Sequence, residues 1–392
     1  MLVSVGDGKT WLSKPGRTNF EQASQMNAAY MEEALALAVK GVGLTSPNPA
    51  VGAVLVREGD IVGRGFHTYQ GVSHAEVLAL NEAGDKAKGA TLYVTLEPCS
   101  HTGRTAPCAD ALINAGVAGV VTAMEDPNPI VGGRGHRRLR DAGIAVDLMP
   151  EFAAQAAAMN QAFVHFMRTG VPLVTVKSAV TLDGKIAAPE DNGGWITSDI
   201  ARRHVQTLRH QSDAIVTGIG TVVSDDCRLT DRSGLERSRP LLRIVLDSQL
   251  RLPPTSKMVG GVNKDLLVVT TSAAPGARRK ALEDRGVEVL TLDGRDGRTD
   301  LRGLLTVLAD RKCLSLMVEA GSKLNWAFFE TGVADKIYFY YAPKILGGLH
   351  SLPVAGGAGR KRRKDAIKFR NVKIHPISTD EFAVEAWLVR EF

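Results

Sequence analysis

His74-Ala75-Glu76 is followed by Pro98-Cys99 and, after an eight-residue gap, by Cys108. One imidazole and two thiolates supply three protein ligands, the number a catalytic zinc ion takes when its fourth position stays open to water. Glu76 lies two residues past the histidine, near such a metal without being needed as a ligand. That is the placement of a general acid/base working on an activated water. Zinc lowers the pKa of a bound water to about 7, so a nucleophile is present at neutral pH. The alternative is a closed structural zinc site, which needs a fourth ligand, and His101 is the spare one nearby.

The elements that must position these groups follow from the apolar pattern. Ala28, Met31, Ala34, Leu35, Ala38 and Val39 recur at helical spacing from Met26, and Pro47-Asn48-Pro49 cannot continue the helix. Residues 51–56 read as a strand that turns at 58–60 and returns over 61–63. Helices are expected over 74–83, 108–115, 135–142 and 151–167, with strands over 90–96 and 117–124. This alternation implies an α/β sandwich. His74 then starts one helix while Cys99 and Cys108 flank the start of the next. Two helix N-termini facing one site favour thiolates there.

Arg168-Thr169-Gly170-Val171-Pro172 reads as a boundary, after which the alternation restarts. Strands are expected over 173–180, 214–217, 242–246, 266–270, 287–290 and 315–318. Helices fit 199–211, 276–285, 301–310 and 323–330, and three β-rich runs close the chain at 336–346, 372–378 and 382–389. The expected organisation is a disordered extension over 1–25, one α/β domain over 26–170 and a second over 171–392.

Length and composition agree with two globular domains. A chain of 392 residues exceeds one ordinary core, and 44% hydrophobic with 23% charged residues excludes a disordered or fibrous protein. No apolar run approaches the roughly 18–20 residues of a membrane span. The first 25 residues carry no apolar h-region, so no secretory signal is expected. Four cysteines argue for a reducing cytoplasm rather than a disulfide scaffold. The net charge of +6 suits phosphorylated small molecules as well as nucleic acid. The run from Arg360 to Lys364, after Gly356-Gly357-Ala358-Gly359, reads as a mobile surface loop.

The zinc nucleobase deaminases carry H-x-E followed by P-C-x-x-C. Here the cysteines stand further apart, in Thr95-Leu96-Glu97-Pro98-Cys99-Ser100-His101-Thr102-Gly103-Arg104-Thr105-Ala106-Pro107-Cys108. With that insert, residues 26–392 resemble the bifunctional pyrimidine deaminase/reductase family of riboflavin biosynthesis. The resemblance implies a cytidine-deaminase-like α/β/α sandwich followed by a dihydrofolate-reductase-like α/β domain. It implies zinc on His74, Cys99 and Cys108, Glu76 as catalytic acid/base, and a diaminopyrimidinone carrying ribosyl phosphate as substrate. By family position Asn48, His67, His101, Arg104, Asp126 and Asn128 line its pocket. Guanidinium and imidazole on the insert suit a phosphate, although Asn48 and Asn128, each between prolines, also suit plain turns.

In the second half the resemblance rests on several segments. They are Val176-Lys177-Ser178-Ala179-Val180-Thr181-Leu182-Asp183-Gly184-Lys185, Trp195-Ile196-Thr197-Ser198, Leu208-Arg209, Gly218-Ile219-Gly220-Thr221, Asp225-Asp226-Cys227-Arg228-Leu229-Thr230 and Val318-Glu319-Ala320-Gly321. Gly218-x-Gly220 alone is an incomplete dinucleotide fingerprint. The resemblance implies NADPH as the reductant. Its contacts would be Ala179, Trp195, Thr221, Asp225, Ser248 and a loop of Gly321, Ser322, Lys323, Leu324, Asn325, Trp326 and Ala327. Lys177, Arg209, Leu229, Arg232 and Glu319 would face the substrate, which is reduced from ribosyl to ribityl, with Lys177 or Asp225 assisting. Gly193-Gly194 stands where the family often has Ser-Gln, and Cys227 where it has proline; Cys227 is not read as a nucleophile.

The expected partners are phosphorylated pyrimidines and further copies of the chain in a homo-oligomer, with neither nucleic acid nor membrane. Two other readings stay open: a nucleoside or nucleic-acid deaminase with an unrelated tail, and a chain in which only one half is active.

Overall fold

The computed structural model describes residues 17–102, 106–190 and 194–389. The first domain runs α1 (Arg17–Lys40), β1 (Gly52–Arg57), β2 (Asp60–Phe66), α2 (Ala75–Ala83), β3 (Thr91–Val94), α3 (Cys108–Ala115), β4 (Gly119–Thr122), α4 (Arg134–Asp141), β5 (Ala145–Leu148), α5 (Ala153–Met159) and α6 (Gln161–Thr169). Its sheet has the order β2-β1-β3-β4-β5, antiparallel around β1 and parallel from β3 to β5.

Strand alternation divides the core in two, as period-2 side-chain geometry requires. Ala53 and Leu55 pack with Ala75, Ala79, Leu112 and Leu139 on the face covered by α2, α3 and α4. Val54 and Val56 pack with Met31, Ala34, Leu35, Phe152 and Ala156 on the opposite face, under α1 and α5. The result is the expected α/β/α sandwich. Helix α2 lies unusually close to its strands. A Cβ on Gly63 or Gly65 would come within 2.1 Å of the carbonyl oxygen of Ala79 or Ala75. Glycines on the strand and alanines on the helix therefore set where His74 and Glu76 stand.

Two expectations need correction. The first helix begins at Arg17, upstream of Met26, so the extension over 1–25 is in part helical; residues 1–16 lie outside the described residues. The single helix expected over 151–167 is broken at Asn160, which has φ −107° and ψ 27°. The break has a cause. The Ala50 N–H donates to Asn160 Oδ1 at 2.8 Å, and Asn160 Nδ2 donates to the Ala50 carbonyl at 2.9 Å.

The second domain begins with β6 (Leu173–Thr181), β7 (Lys185–Ala187), α7 (Asp199–His210), β8 (Ala214–Gly218), α8 (Ile219–Asp225), β9 (Leu242–Leu246), α9 (Lys257–Gly260), β10 (Leu266–Thr270), α10 (Gly276–Glu283) and β11 (Glu288–Thr291). It continues through α11 (Leu301–Asp310), β12 (Ser315–Glu319), α12 (Ser322–Glu330), β13 (Lys336–Ala342), β14 (Leu352–Pro353), β15 (Phe369–Pro376) and β16 (Phe382–Leu388). The nine-stranded sheet has the order β11-β10-β9-β8-β12-β6-β13-β16-β15, parallel except for the terminal hairpin of β15 and β16. The short helix α8, unforeseen from the sequence, follows directly on Gly218.

Chain path decides where a ligand fits. From β6 the chain moves outward through β8 to β11, returns as β12 between β8 and β6, then crosses to β13. Connections leave the carboxyl ends of β6 and β12 toward opposite sides, which opens a crevice at the switch point of the sheet. No described helix is long and apolar enough to cross a membrane. Replacing Asn160 with alanine would leave both polar groups of buried Ala50 without partners. Denaturant unfolding of Asn160→Ala should show a loss of about 1–3 kcal/mol; an unchanged midpoint would remove this clamp from the account.

Candidate active sites

The first site is built on two helix starts and one loop. His74 is the extended residue that precedes α2, and Cys108 is the first residue of α3 after Pro107. Cys99 follows the carboxyl end of β3, and its sulfur accepts the Cys108 N–H at 3.2 Å. His74 Nδ1 lies 3.2 Å from Cys108 Sγ and 3.6 Å from Cys99 Sγ. The ligand atoms of all three lie within 4.8 Å of one another.

Their electrostatics fit a cation. The hydrogen bond from Cys108 lowers the Cys99 thiol to about 4, helped by His74, while that same bond and burial push the Cys108 thiol up. Two sulfurs this close share one proton, and a divalent cation between them is what would release it. Glu76, in the first turn of α2, is buried, and burial followed by the Cys99 charge raises its carboxyl to about 7. His101 is exposed and stands outside the ligand group, so the closed-site alternative lacks its fourth ligand among the described residues.

Around this group the structure brings together several expected pocket residues. Asn48 Nδ2 lies 2.9 Å from His67 Nε2, and His67 Nδ1 lies 2.9 Å from the Ser73 carbonyl. A carbonyl only accepts, so Nδ1 carries the proton and Nε2 accepts from Asn48. The His67 ring meets the His74 ring edge-on at 5.1 Å. A small cavity beside Cys99 is lined by Glu97, His101 and Asp126. Asp126 Oδ1 accepts the Asn128 N–H at 2.8 Å, and Asn128 Oδ1 accepts the Ile130 N–H at 3.0 Å. Asn128 thus does form a turn, in series with Asp126. Arg104 lies outside the described residues.

The second site sits at the switch-point crevice. Glu319 ends β12 and is the register partner of Lys177 on β6. Arg209, from α7, grips both Glu319 oxygens at 2.8 and 2.9 Å and donates to the Thr230 carbonyl at 2.8 Å. Lys177 Nζ stands 3.4 Å from Glu319 Oε2. Burial alone would raise the Glu319 carboxyl, but Lys177 and Arg209 outweigh it and hold it at about 2. Burial lowers Lys177 despite the pull of Glu319. Leu229 is buried next to Thr230, whereas the Arg232 side chain is exposed.

Of the residues expected at the cofactor, Thr221 lies beside the start of α12, and the helix corrects the expected loop over 321–327: only Gly321 precedes it, and Ser322 begins it. Ser322 Oγ, Asn325 Oδ1 and Trp326 Nε1 are buried without a hydrogen-bond partner among the described residues. The Ser322 hydroxyl at the start of the helix and the Trp326 N–H are donors that fit an anionic pyrophosphate, whereas the Asn325 oxygen, an acceptor, does not. Thr221 of α8 lies beside Gly321, where a Cβ would come 3.8 Å from its hydroxyl. Ala179 lies on β6, and the Ser248 carbonyl, just past β9, accepts from Thr271 at 2.9 Å. Trp195 is exposed, with Arg202 at 4.6 Å over its ring. Leu324 and Ala327 pack into the core, Lys323 points to solvent, and Asp225 is exposed at the far end of α8. Burial pushes the Cys227 thiol up to about 11, which disfavours a nucleophile.

Comparison with known proteins covers both halves. The family model for the cytidine and deoxycytidylate deaminase zinc-binding region matches residues 24–124, and that for the RibD C-terminal domain matches residues 172–382. The riboflavin biosynthesis protein RibD of Escherichia coli K12 is 44% identical over 368 residues, 90% of this chain and 96% of its own. That of Aquifex aeolicus is 40% identical over 356 residues, 91% of this chain and 97% of its own. This chain belongs to the RibD family. The structure of Acinetobacter baumannii RibD agrees, with TM-score 0.83 and 36% identity over 93% of this chain and 99% of that one. So does the Thermotoga maritima diaminohydroxyphosphoribosylaminopyrimidine deaminase/5-amino-6-(5-phosphoribosylamino)uracil reductase, with TM-score 0.79 and 33% identity over 94% and 100% of the two chains. Membership of the RibD family accounts for both domains, which a deaminase with an unrelated tail does not.

One residue that motif reading passed over organises the first site. Glu97 is buried, and its carboxylate accepts four backbone N–H groups: Asp126 at 3.0 Å, Gly133 at 2.8 Å, Gly135 at 2.7 Å and His136 at 3.2 Å. It ties the turn bearing Asp126 and Asn128, and the start of α4, to the residue pair Pro98-Cys99. Gly135 permits this approach, since a Cβ there would lie 2.0 Å from the Pro98 carbonyl oxygen. The available signal was an acid ending an apolar strand, where a solvated carboxylate has no place. Glu97→Gln puts an NH₂ group where N–H donors converge. The expected cost is about 2–4 kcal/mol on unfolding of this domain, with a raised KM for deamination; wild-type values for both would refute the clamp.

Proposed function

We propose that the two sites act in sequence on one phosphorylated pyrimidine, the first removing an exocyclic amine by hydrolysis and the second reducing the ribosyl group to ribityl. As a RibD-family member the chain is a bifunctional deaminase and reductase of riboflavin biosynthesis, with zinc and NADPH as its cofactors. The observation that carries the residue assignments is the convergence of His74, Cys99 and Cys108 beside a buried carboxylate.

His74, Cys99 and Cys108 would hold the zinc. When bound, zinc supplies the Lewis acidity that lets a water lose its proton near pH 7, with the Glu76 carboxylate beside it to receive that proton. Glu76 accepts that proton on its carboxylate, passes it to the ring nitrogen, and then delivers one to the departing amine. The water oxygen bonds to the amine-bearing carbon as the ring nitrogen is protonated. Glu76 then takes the second proton from that oxygen for the amine, and the C–N bond breaks as the C=O bond forms, releasing ammonia. Asn48, His67 and Asp126 orient the ring, with His101 toward the phosphate; the part given to Arg104 rests on its family position alone.

In the second domain the start of α12 would hold NADPH, which when bound supplies hydride-donor chemistry. Arg209 and Glu319 form a rigid, fully paired platform for the substrate, and Lys177 stands beside it. A buried ammonium with a lowered pKa gives up a proton more readily than a solvated one. That favours Lys177 over exposed Asp225 as the proton partner. The four free cysteines support a reducing cytoplasm as the working compartment. Strand β15 leaves an open sheet edge with Val372 and Ile374 exposed, which supports pairing with a second copy. Sedimentation of purified protein should give a multiple of the chain mass; a monomer at micromolar concentration would contradict this.

Glu76→Gln should lower the deamination rate by roughly 10²–10⁴ with zinc content and reductase activity retained. Full deaminase activity in that variant would dismiss Glu76 as the acid/base. In a coupled assay with the diaminopyrimidinone ribosyl phosphate and NADPH, a chelator should stop deamination. It should spare reduction of the deaminated intermediate supplied directly, and equal sensitivity of both steps would argue against two separate sites.

A further inference from the structure

The loop over residues 41–50 carries Asn48 and leans on the second domain. Gly43 has φ +85°, and a Cβ there would lie 2.2 Å from His210 Nε2, so its backbone rests directly on that imidazole. His210 ends α7 and follows Arg209 of the reductase site. The Gly43 carbonyl accepts the Ser238 N–H at 3.4 Å. Arg239 donates to Ser46 Oγ at 3.0 Å, and is itself anchored on the Lys312 carbonyl at 2.7 Å and on Asp213 at 2.9 Å. Asn48, Asn160, His210, Arg237 and Arg239 line one small cavity between the domains, of about 70 Å³.

On its other side the same loop leads to the metal group. Asn48 hydrogen-bonds His67, and His67 holds the Ser73 carbonyl next to His74. Regular secondary structure does not constrain residues 41–50, so ordering them costs conformational entropy that external contacts must offset. Asn160 supplies one contact, at Ala50, Tyr69 of the first domain supplies another by donating its N–H to the Leu44 carbonyl at 2.8 Å, and the second domain supplies those at Gly43 and Ser46.

We infer that His210 and Arg239 of the reductase domain are positioning residues for deamination: they hold loop 41–50, and through it Asn48, in the arrangement that binds the pyrimidine. The inference rests on the reading of Asn48 as a pocket residue. It makes substrate affinity in the first domain depend on docking of the second, while zinc binding and the acid/base step do not. The chain thereby gains a physical reason to keep both activities in one polypeptide.

The test uses the full-length, zinc-loaded protein and steady-state deamination. Ser46→Ala removes a single hydroxyl from the contact, and Gly43→Ala both strains a positive-φ residue and presses on His210. Each should raise the deaminase KM by about fivefold or more, the weight of one such hydrogen bond. Deaminase kcat, zinc content and reductase kinetics should stay unchanged. Ser46→Thr keeps the hydroxyl and should restore KM. Asn48→Ala run alongside separates the two readings. If Asn48→Ala is impaired while Ser46→Ala and Gly43→Ala keep a normal KM, the inter-domain inference is overturned and the pocket assignment stands. If Asn48→Ala itself has a normal KM, the pocket assignment fails and the inference goes with it.

Discussion

Buried charge is tolerable only where other groups replace the water it has lost, and each functional part of this chain is arranged around that requirement. In the first domain two thiols and an imidazole are crowded together until only one sulfur ionises, and a divalent cation is the natural completion. Next to them Glu97 is desolvated with four backbone donors in place of water. In the second domain Glu319 is held at about 2 by a guanidinium fork and an ammonium. Removing one partner from such a group strands the other, so each set stands or falls as a whole.

Both domains solve the placement problem alike. Cys99 and Asp126 follow the carboxyl ends of parallel strands β3 and β4, and Glu319 ends β12 beside β6. Helix N-termini then close each site from above, α2 and α3 in one case and α12 in the other. Positive helix ends suit the anionic thiolates in the first site and phosphates in the second. The two chemistries differ, but the sheet ends and helix starts that present them are the same physical device.

The domains also share a boundary with chemical content. Loop 41–50 belongs to the first domain, where Tyr69, His67 and Asn160 hold it, and it is held as well by His210, Ser238 and Arg239 of the second. Lys336 reaches Gln161 at 2.8 Å across the same boundary. The bend between the two linker helices is fixed by the hydrogen bonds of Asn160 to Ala50.

Much of this was legible in the residues themselves. Short-range chemistry is carried by residue type and spacing, so His74, Glu76, Cys99 and Cys108 announced their ligand set, and the eight-residue gap marked the family. Apolar periodicity placed most strands and helices, since periods of 2 and 3.6 are local properties. Tertiary structure alone decided the rest. Glu97 reads as one acid in a motif until four donors from residues 126–136 converge on it. Asn160 sits in a good helical pattern until its side chain binds a backbone 110 residues away. Arg239 and Ser46, 193 positions apart, show no mutual signal in one sequence. Each depends on long-range partners for a buried polar group, and such pairing is set by the fold and not by any local spacing.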